Sequence, residues 1–104
     1  MTASLMRIWR GRTRRSDADA YETYLRATGL VGYLAVEGNR GVRLTRRDLG
    51  DDTEFCLVSF WDSWDAVREF AGEDPQRAVF YPEDDRFLVD RELVVSHYTI
   101  FANA

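Results

Sequence analysis

Apolar and polar residues alternate along this chain with two different periods, and the places where one period gives way to the other mark out six elements. Residues 5–13 (LMRIWRGRT) start as a strand, with Met6 and Ile8 at one parity and Leu5 and Trp9 at the other. Ser16 then offers an N-cap oxygen, and Asp19 makes with it a capping-box-like pair whose carboxylate also suits the positive end of a helix. Tyr21, Tyr24, Leu25 and Thr28 follow at the i, i+3, i+4, i+7 spacing that places them on one helical stripe. Gly29 and Gly32 weaken continuation, so residues 30–37 read either as a second short helix or as an extended link. Gly38-Asn39-Arg40-Gly41 signals a turn, and residues 42–47 form a half-exposed strand in which Val42 and Leu44 alternate with Arg43, Thr45 and Arg47.

The polar connection 48–53 joins that strand to residues 54–61 as an antiparallel hairpin. Phe55, Leu57 and Trp61 fall at one parity and Cys56, Val58 and Phe60 at the other, which predicts a central strand. Asp62 or Ser63 caps a second helix with the stripe Trp64, Val67, Phe70 and Ala71, ended by Gly72. Asp74-Pro75 can begin another helical turn through Phe80, broken at Tyr81-Pro82-Glu83-Asp84-Asp85. The closing run, residues 92–101 (ELVVSHYTIF), is apolar at both parities, with Leu93, Val95 and Phe101 on one side and Val94, Tyr98 and Ile100 on the other.

The order β-α-β-β-α-β predicts an α+β, ferredoxin-like domain over residues 1–104, with both helices on one face of a four-stranded antiparallel sheet. The other face would leave a large apolar patch in a single subunit. Packing two such faces together under a two-fold axis removes both patches and forms a dimeric α/β barrel, so a homodimer is expected.

Composition narrows the chemistry. The net charge is −4, and every one of the 14 basic residues is arginine. Nucleic acid is therefore a poor partner, and neither a Schiff base nor a lysine general base can be encoded. The single Cys56 excludes an internal disulfide and suits a reducing cytoplasm. No apolar run approaches the roughly 18 residues of a spanning helix, and the start of the chain lacks a signal-peptide core. A cytoplasmic protein with no membrane partner is the expectation.

The opening Arg7-Ile8-Trp9-Arg10-Gly11, the Gly38-Asn39-Arg40-Gly41 turn, the Phe60-Trp61-Asp62-Ser63-Trp64 junction, the Phe70-Ala71-Gly72 helix end and the closing His97-Tyr98 resemble the antibiotic biosynthesis monooxygenase superfamily over residues 5–101. The resemblance implies the dimeric α/β-barrel fold and a pocket in each subunit between sheet and helices. It also implies oxidation of electron-rich aromatic molecules by oxygen without a cofactor; other members are isomerases, lyases or haem-degrading enzymes. The haem-degrading branch places a tryptophan and an axial histidine at positions that fall near Phe70 and near Phe80 or Tyr81 here, and neither matches. The tryptophan of the monooxygenase branch can be supplied by Trp64, without the asparagine that accompanies it there. No cofactor and no metal are expected.

Cofactor-free oxygenation needs a base near neutral pH and a dry aromatic pocket. His97, the only histidine, has the right ordinary pKa to be that base, with Trp64 and Tyr81 positioning the substrate. Trp9, Trp61, Phe60, Phe70 and Phe80 are candidates to line a cavity for a small hydrophobic ligand, or else simply fill the core. Arg7, Arg10 and Arg43 lie on strands, where a guanidinium facing inward must be paired or bind an anion. The acidic run Glu83-Asp84-Asp85 reads as a solvated loop. Two readings stand: a monooxygenase of hydroquinone or anthrone type, or a non-oxidative cyclase, isomerase or non-catalytic ligand-binding or stress-response dimer.

Overall fold

The structure is a computed structural model that describes residues 3–104. Strand β1 (Leu5–Arg14) runs through a short 3-10 turn (Arg15–Asp17) into α1 (Ala18–Ala27) and α2 (Gly29–Leu34). The hairpin β2 (Asn39–Leu49) and β3 (Asp52–Trp61) follows, then α3 (Trp64–Ala71), a single helical turn α4 (Asp84–Phe87), and the short strands β4 (Leu88–Arg91) and β5 (Ser96–Thr99). All strand pairs are antiparallel, in the order β2-β3-β1-β4, with β5 also on β1. The α+β, ferredoxin-like arrangement is thus present, with its final strand broken in two. Among the described residues no helix is long and apolar enough to cross a membrane.

The local differences from expectation have identifiable causes. Asp17 precedes α1 without a side-chain cap, and Asp19 turns instead to Arg46, 2.9 Å away, so the Ser16–Asp19 capping pair does not form. Of residues 30–37, the first five belong to α2, which ends at Leu34, and the rest form a turn. Asn39 already pairs with Trp61, and the Gly38–Gly41 segment is mostly a bulged strand start rather than a turn. The β2–β3 connection shrinks to two residues, with Gly50 at φ 59, the left-handed first position that such tight hairpins favour. Ser63 caps α3 by accepting from the Ala66 N–H at 3.2 Å, and Gly72 at φ 93 ends it.

Residues 74–80 form no helix, because their backbone groups are engaged elsewhere. The Ala78 N–H donates to the Leu93 carbonyl at 2.9 Å, and the Gln76 carbonyl accepts from Val95 at 2.8 Å. The carbonyls of Pro75 and Arg77 accept from Arg7. The last strand is interrupted for the same reason. Glu92 still bonds to Arg10 of β1, but Val94 leaves the ladder to bridge Arg77, and pairing with β1 resumes only at Ser96. Val95 turns into the core while Leu93 and Val94 stay exposed, so the double parity of this run reflects a bulge as well as two apolar faces.

Period-two alternation divides the sheet into two sides. Leu5, Arg7, Trp9, Phe55, Leu57 and Trp61 face the helices and are buried. The intervening residues face the uncovered side: register sets Phe60, Met6 and Tyr98 in one row and Val58, Ile8 and Ser96 in the next. Toward the β2–β3 turn that side becomes charged, with Arg47–Glu54 at 2.9 Å and Arg12–Asp90 at 3.1 Å.

Candidate functional site

Arg7 lies in the inward row of β1, and only 2 % of it is exposed. A long cationic side chain in that row needs polar partners, and it finds neutral ones. Its Nη1 donates to the Pro75 carbonyl and approaches His97 Nε2 at 3.2 Å, while Nη2 donates to the Arg77 carbonyl at 2.9 Å. Its guanidinium carbon sits 5.5 Å from the centre of the Phe70 ring. No carboxylate among the described residues pairs with it. Burial lowers its pKa, yet a guanidinium remains charged. The site therefore contains a buried positive charge with no carboxylate in direct contact.

A small cavity of about 20 Å³ adjoins this guanidinium, lined by Arg7, Trp9, Tyr33, Phe70, Tyr81 and Asp84 among others. That is room for one water molecule, so a ring can enter only if part of the lining, which includes Val79 and Tyr81, moves aside. Tyr33 stacks on Phe70 with ring centres 4.5 Å apart, and burial pushes its hydroxyl up to about 12 against the pull of Arg7. The Tyr81 hydroxyl rests against Gly32, where any Cβ would overlap it, so the glycine of α2 is what admits this side chain. Burial, helped by Asp84, raises the Tyr81 pKa as well.

Asp84 also lines the cavity. It is 3 % exposed, its Oδ1 accepts from the Tyr21 hydroxyl at 2.9 Å, and its Oδ2 accepts from the Tyr81 N–H at 2.6 Å. No cation pairs with it among the described residues. Burial first, and then the nearby carboxylate, drive the Tyr21 pKa well above its ordinary value, which keeps that hydroxyl protonated as a donor. Its sequence neighbours behave as surface groups: Glu83 pairs with Arg86 at 2.8 Å and Asp85 with Arg91 at 2.6 Å. Reading the whole acidic run as solvated therefore holds for two of its members and fails for the middle one.

The expected site residues separate into distinct groups. Arg7, Trp9, Phe70 and Tyr81 come together at the cavity, with the Trp9 indole N–H donating to the Glu92 carbonyl at 2.9 Å. His97 is directly opposite Arg7 on β5 and packs against Trp64 at a tilt, with ring centres 4.8 Å apart. Neither ring lines the cavity. Burial, and next the Arg7 charge, lower the His97 pKa to about 4. In this contact His97 Nε2 can only accept, since a guanidinium has donors alone, and the neighbouring charge disfavours the protonated ring. Trp61 is fully buried behind Phe70 and donates to Ser59 Oγ at 2.9 Å, a core role. Phe60 belongs to the uncovered side of the sheet, since adjacent strand residues cannot share a face. Phe80 lies at the surface with its ring edge toward Trp9, 6.3 Å between centres. Of the arginines, Arg10 and Arg43 occupy the outward parity.

Tyr21, Tyr33 and Asp84 were missed as site residues. The available clue was a tyrosine on a buried helical stripe, whose hydroxyl must find a partner. A larger hollow, about 230 Å³, opens between α1 and β2 beside Leu25, Leu30, Val42, Leu44 and Phe55. It lacks buried charge, so the smaller cavity is the better chemical candidate.

The family model for antibiotic biosynthesis monooxygenases matches residues 7–80. Among solved structures, the chain is similar to that of a Bacillus cereus protein assigned as an antibiotic biosynthesis monooxygenase, with a TM-score of 0.68 at 10% identity, covering 98% of this chain and 97% of that one. At this identity the likeness speaks to the fold. No match was found among curated proteins.

Proposed function

The chain belongs to the antibiotic biosynthesis monooxygenase family, and from that premise we propose that it is a cofactor-independent oxygenase of a small electron-rich aromatic molecule of hydroquinone or anthrone type. The reading rests on one observation above all: a buried guanidinium without a carboxylate, set in an aromatic cavity beneath the helices. Such a substrate reacts with oxygen only after losing a proton, because its anion is the species that can give up an electron. Arg7 supplies the positive potential that favours this anion in a site shielded from water. His97 holds the guanidinium from behind and Trp64 packs on the imidazole, which makes both positioning residues. Tyr81 hydrogen-bonds a substrate oxygen, and Trp9 and Phe70 flank the ring. The substrate supplies every electron that reduces oxygen: an anthrone methylene becomes a carbonyl and the second oxygen atom leaves as water.

Entry requires residues 73–83 to lift, which parts the Pro75 and Arg77 carbonyls from Arg7 and turns its donors toward the ligand. In the same reading the protein is a homodimer closed through the uncovered sheet faces, where Met6, Ile8, Val58, Phe60 and Tyr98 gather. The free Cys56 on that face suits a cytoplasmic setting.

Oxygen uptake with an anthrone and hydroquinone panel tests the function. The expected result is protein-dependent uptake that falls by about 100-fold or more in Arg7→Met. Conversion of a panel member to an isomer or cyclised product without uptake would instead support the non-oxidative alternative.

A further inference from the structure

The cavity has two buried charges of opposite sign that do not pair with each other. Arg7 meets carbonyls and an imidazole, while Asp84 meets a tyrosine hydroxyl and a backbone N–H. Leaving both ions in a low-dielectric site without mutual neutralisation is costly, and a structural role alone would be better served by a direct salt bridge. Unpaired in a cavity both of them line, they suit a reaction in which one group takes a proton and the other holds the negative charge left behind.

We propose that Asp84 is the catalytic base of this site, the group that takes the substrate's proton while Arg7 holds the resulting anion. The assignment rests on the oxygenase reading for its substrate class. Each carboxylate oxygen accepts a single protein hydrogen bond, and a carboxylate oxygen has a second lone pair, so acceptor capacity remains toward the cavity. With an anthrone, a C–H bond at the methylene carbon breaks and an O–H bond forms on Asp84. The electron pair passes to the carbonyl oxygen, which becomes an enolate facing Arg7. The methylene carbon then gives its electrons to oxygen and bonds it, and the resulting peroxide takes the proton back from Asp84. As the second C–H bond breaks toward Asp84 the O–O bond cleaves, the carbon becomes a carbonyl and hydroxide leaves with that second proton as water, restoring the carboxylate. Tyr21, bonded to Oδ1, is a positioning residue that fixes the carboxylate plane; its own hydroxyl stays protonated throughout.

Proton removal can be followed apart from oxidation. Anthrone incubated anaerobically with the protein in deuterated water exchanges its methylene hydrogens, and proton magnetic resonance reads the rate. The wild-type chain is expected to accelerate exchange. Asp84→Asn should lower the protein-dependent rate by about 100-fold or more while still binding anthrone, as read by quenching of tryptophan fluorescence. Tyr21→Phe should lower it by about tenfold, the scale of one hydrogen bond. Asp84→Asn exchanging at the wild-type rate would overturn the assignment, as would no acceleration by the wild type. Should the Asn variant fail to melt cooperatively, infrared difference spectra of the unaltered protein decide the matter. Anaerobic anthrone is expected to raise a carboxylic-acid carbonyl band at the expense of a carboxylate band, and its absence would overturn the assignment. Exchange dependent on Asp84 without aerobic oxygen uptake would leave the base in place and remove the oxygenase reading; uptake with exchange indifferent to Asp84 would do the reverse.

Discussion

Trp61 and Phe60 are neighbours in one strand, and they belong to two different surfaces. Trp61 has no exposed area and is sealed beneath Phe70 and Tyr33, whereas Phe60 looks out beside Met6 on the side no helix covers. The same alternation separates Arg7, buried against carbonyls, from Arg10, whose partner is Glu92 at 3.5 Å with both side chains partly in water. The inward side is filled and holds two unmatched charges; the outward side is apolar at one end and neutralises its charges pair by pair at the other. A charge left unpaired inside and charges paired outside are what a ligand site and an association surface require, respectively.

The arginine pair gives the sharpest way to break this contrast. Arg7→Met should reduce oxygenation by about 100-fold or more, while Arg10→Met should leave it within about twofold, as removal of an exposed ion pair usually does. Equal losses in steady-state oxygen uptake would erase the difference between the faces. The aromatic pair comes next. Trp61→Ala should destabilise the fold by about 3–5 kcal/mol in denaturant melts, and Phe60→Ala by far less. Phe60→Arg should instead weaken self-association by about tenfold or more in sedimentation equilibrium, with secondary structure retained.

Smaller effects sharpen the inner face. Gly32→Ala removes a helix-disfavouring glycine, a gain of about 1 kcal/mol, but its methyl overlaps the Tyr81 hydroxyl. Displacement of that side chain should raise the KM for an anthrone more than it lowers kcat. The pH response is the mildest test. His97 has a folded pKa lowered to about 4 from an ordinary 6.5, so the unfolded chain binds the extra proton first as pH falls. The stability tied to the neutral ring is fully present above pH 6.5, declines as pH drops below that value, and has been lost below about pH 4. Thermal melts should therefore show a decrease from pH 7 to pH 5 that is reduced in His97→Gln.

Most of the architecture was legible because it depends on periodicity. The stripe of α3, its Ser63 cap and Gly72 stop, and the two parities of β3 follow directly from residue order. What escaped depends on contacts between distant segments. Pro75 and Arg77 lose their helix because Arg7, far away in sequence, and the bulge at Val94 engage their backbone. The site was half legible for the same reason. Arg7 on a strand posed the right question, paired or anion-binding, but its answer depended on register. Placing Phe60 beside Trp61 in one cavity overlooked the alternation that separates them. Asp84 looked like its acidic neighbours, and only the inward turn of α4 toward Tyr21 distinguishes it. His97 drew attention as the sole imidazole, although its partner Arg7 makes it a poor base.

The most direct test of the ligand site is a crystal structure of the wild-type protein grown anaerobically with an anthrone. The account predicts the ring between sheet and helices, one oxygen within hydrogen-bonding distance of the Arg7 guanidinium and the methylene edge toward Asp84, with residues 73–83 displaced. Density for the ligand only in the groove between α1 and β2, or on the uncovered sheet face with the Arg7 contacts to Pro75 and Arg77 unchanged, would contradict it.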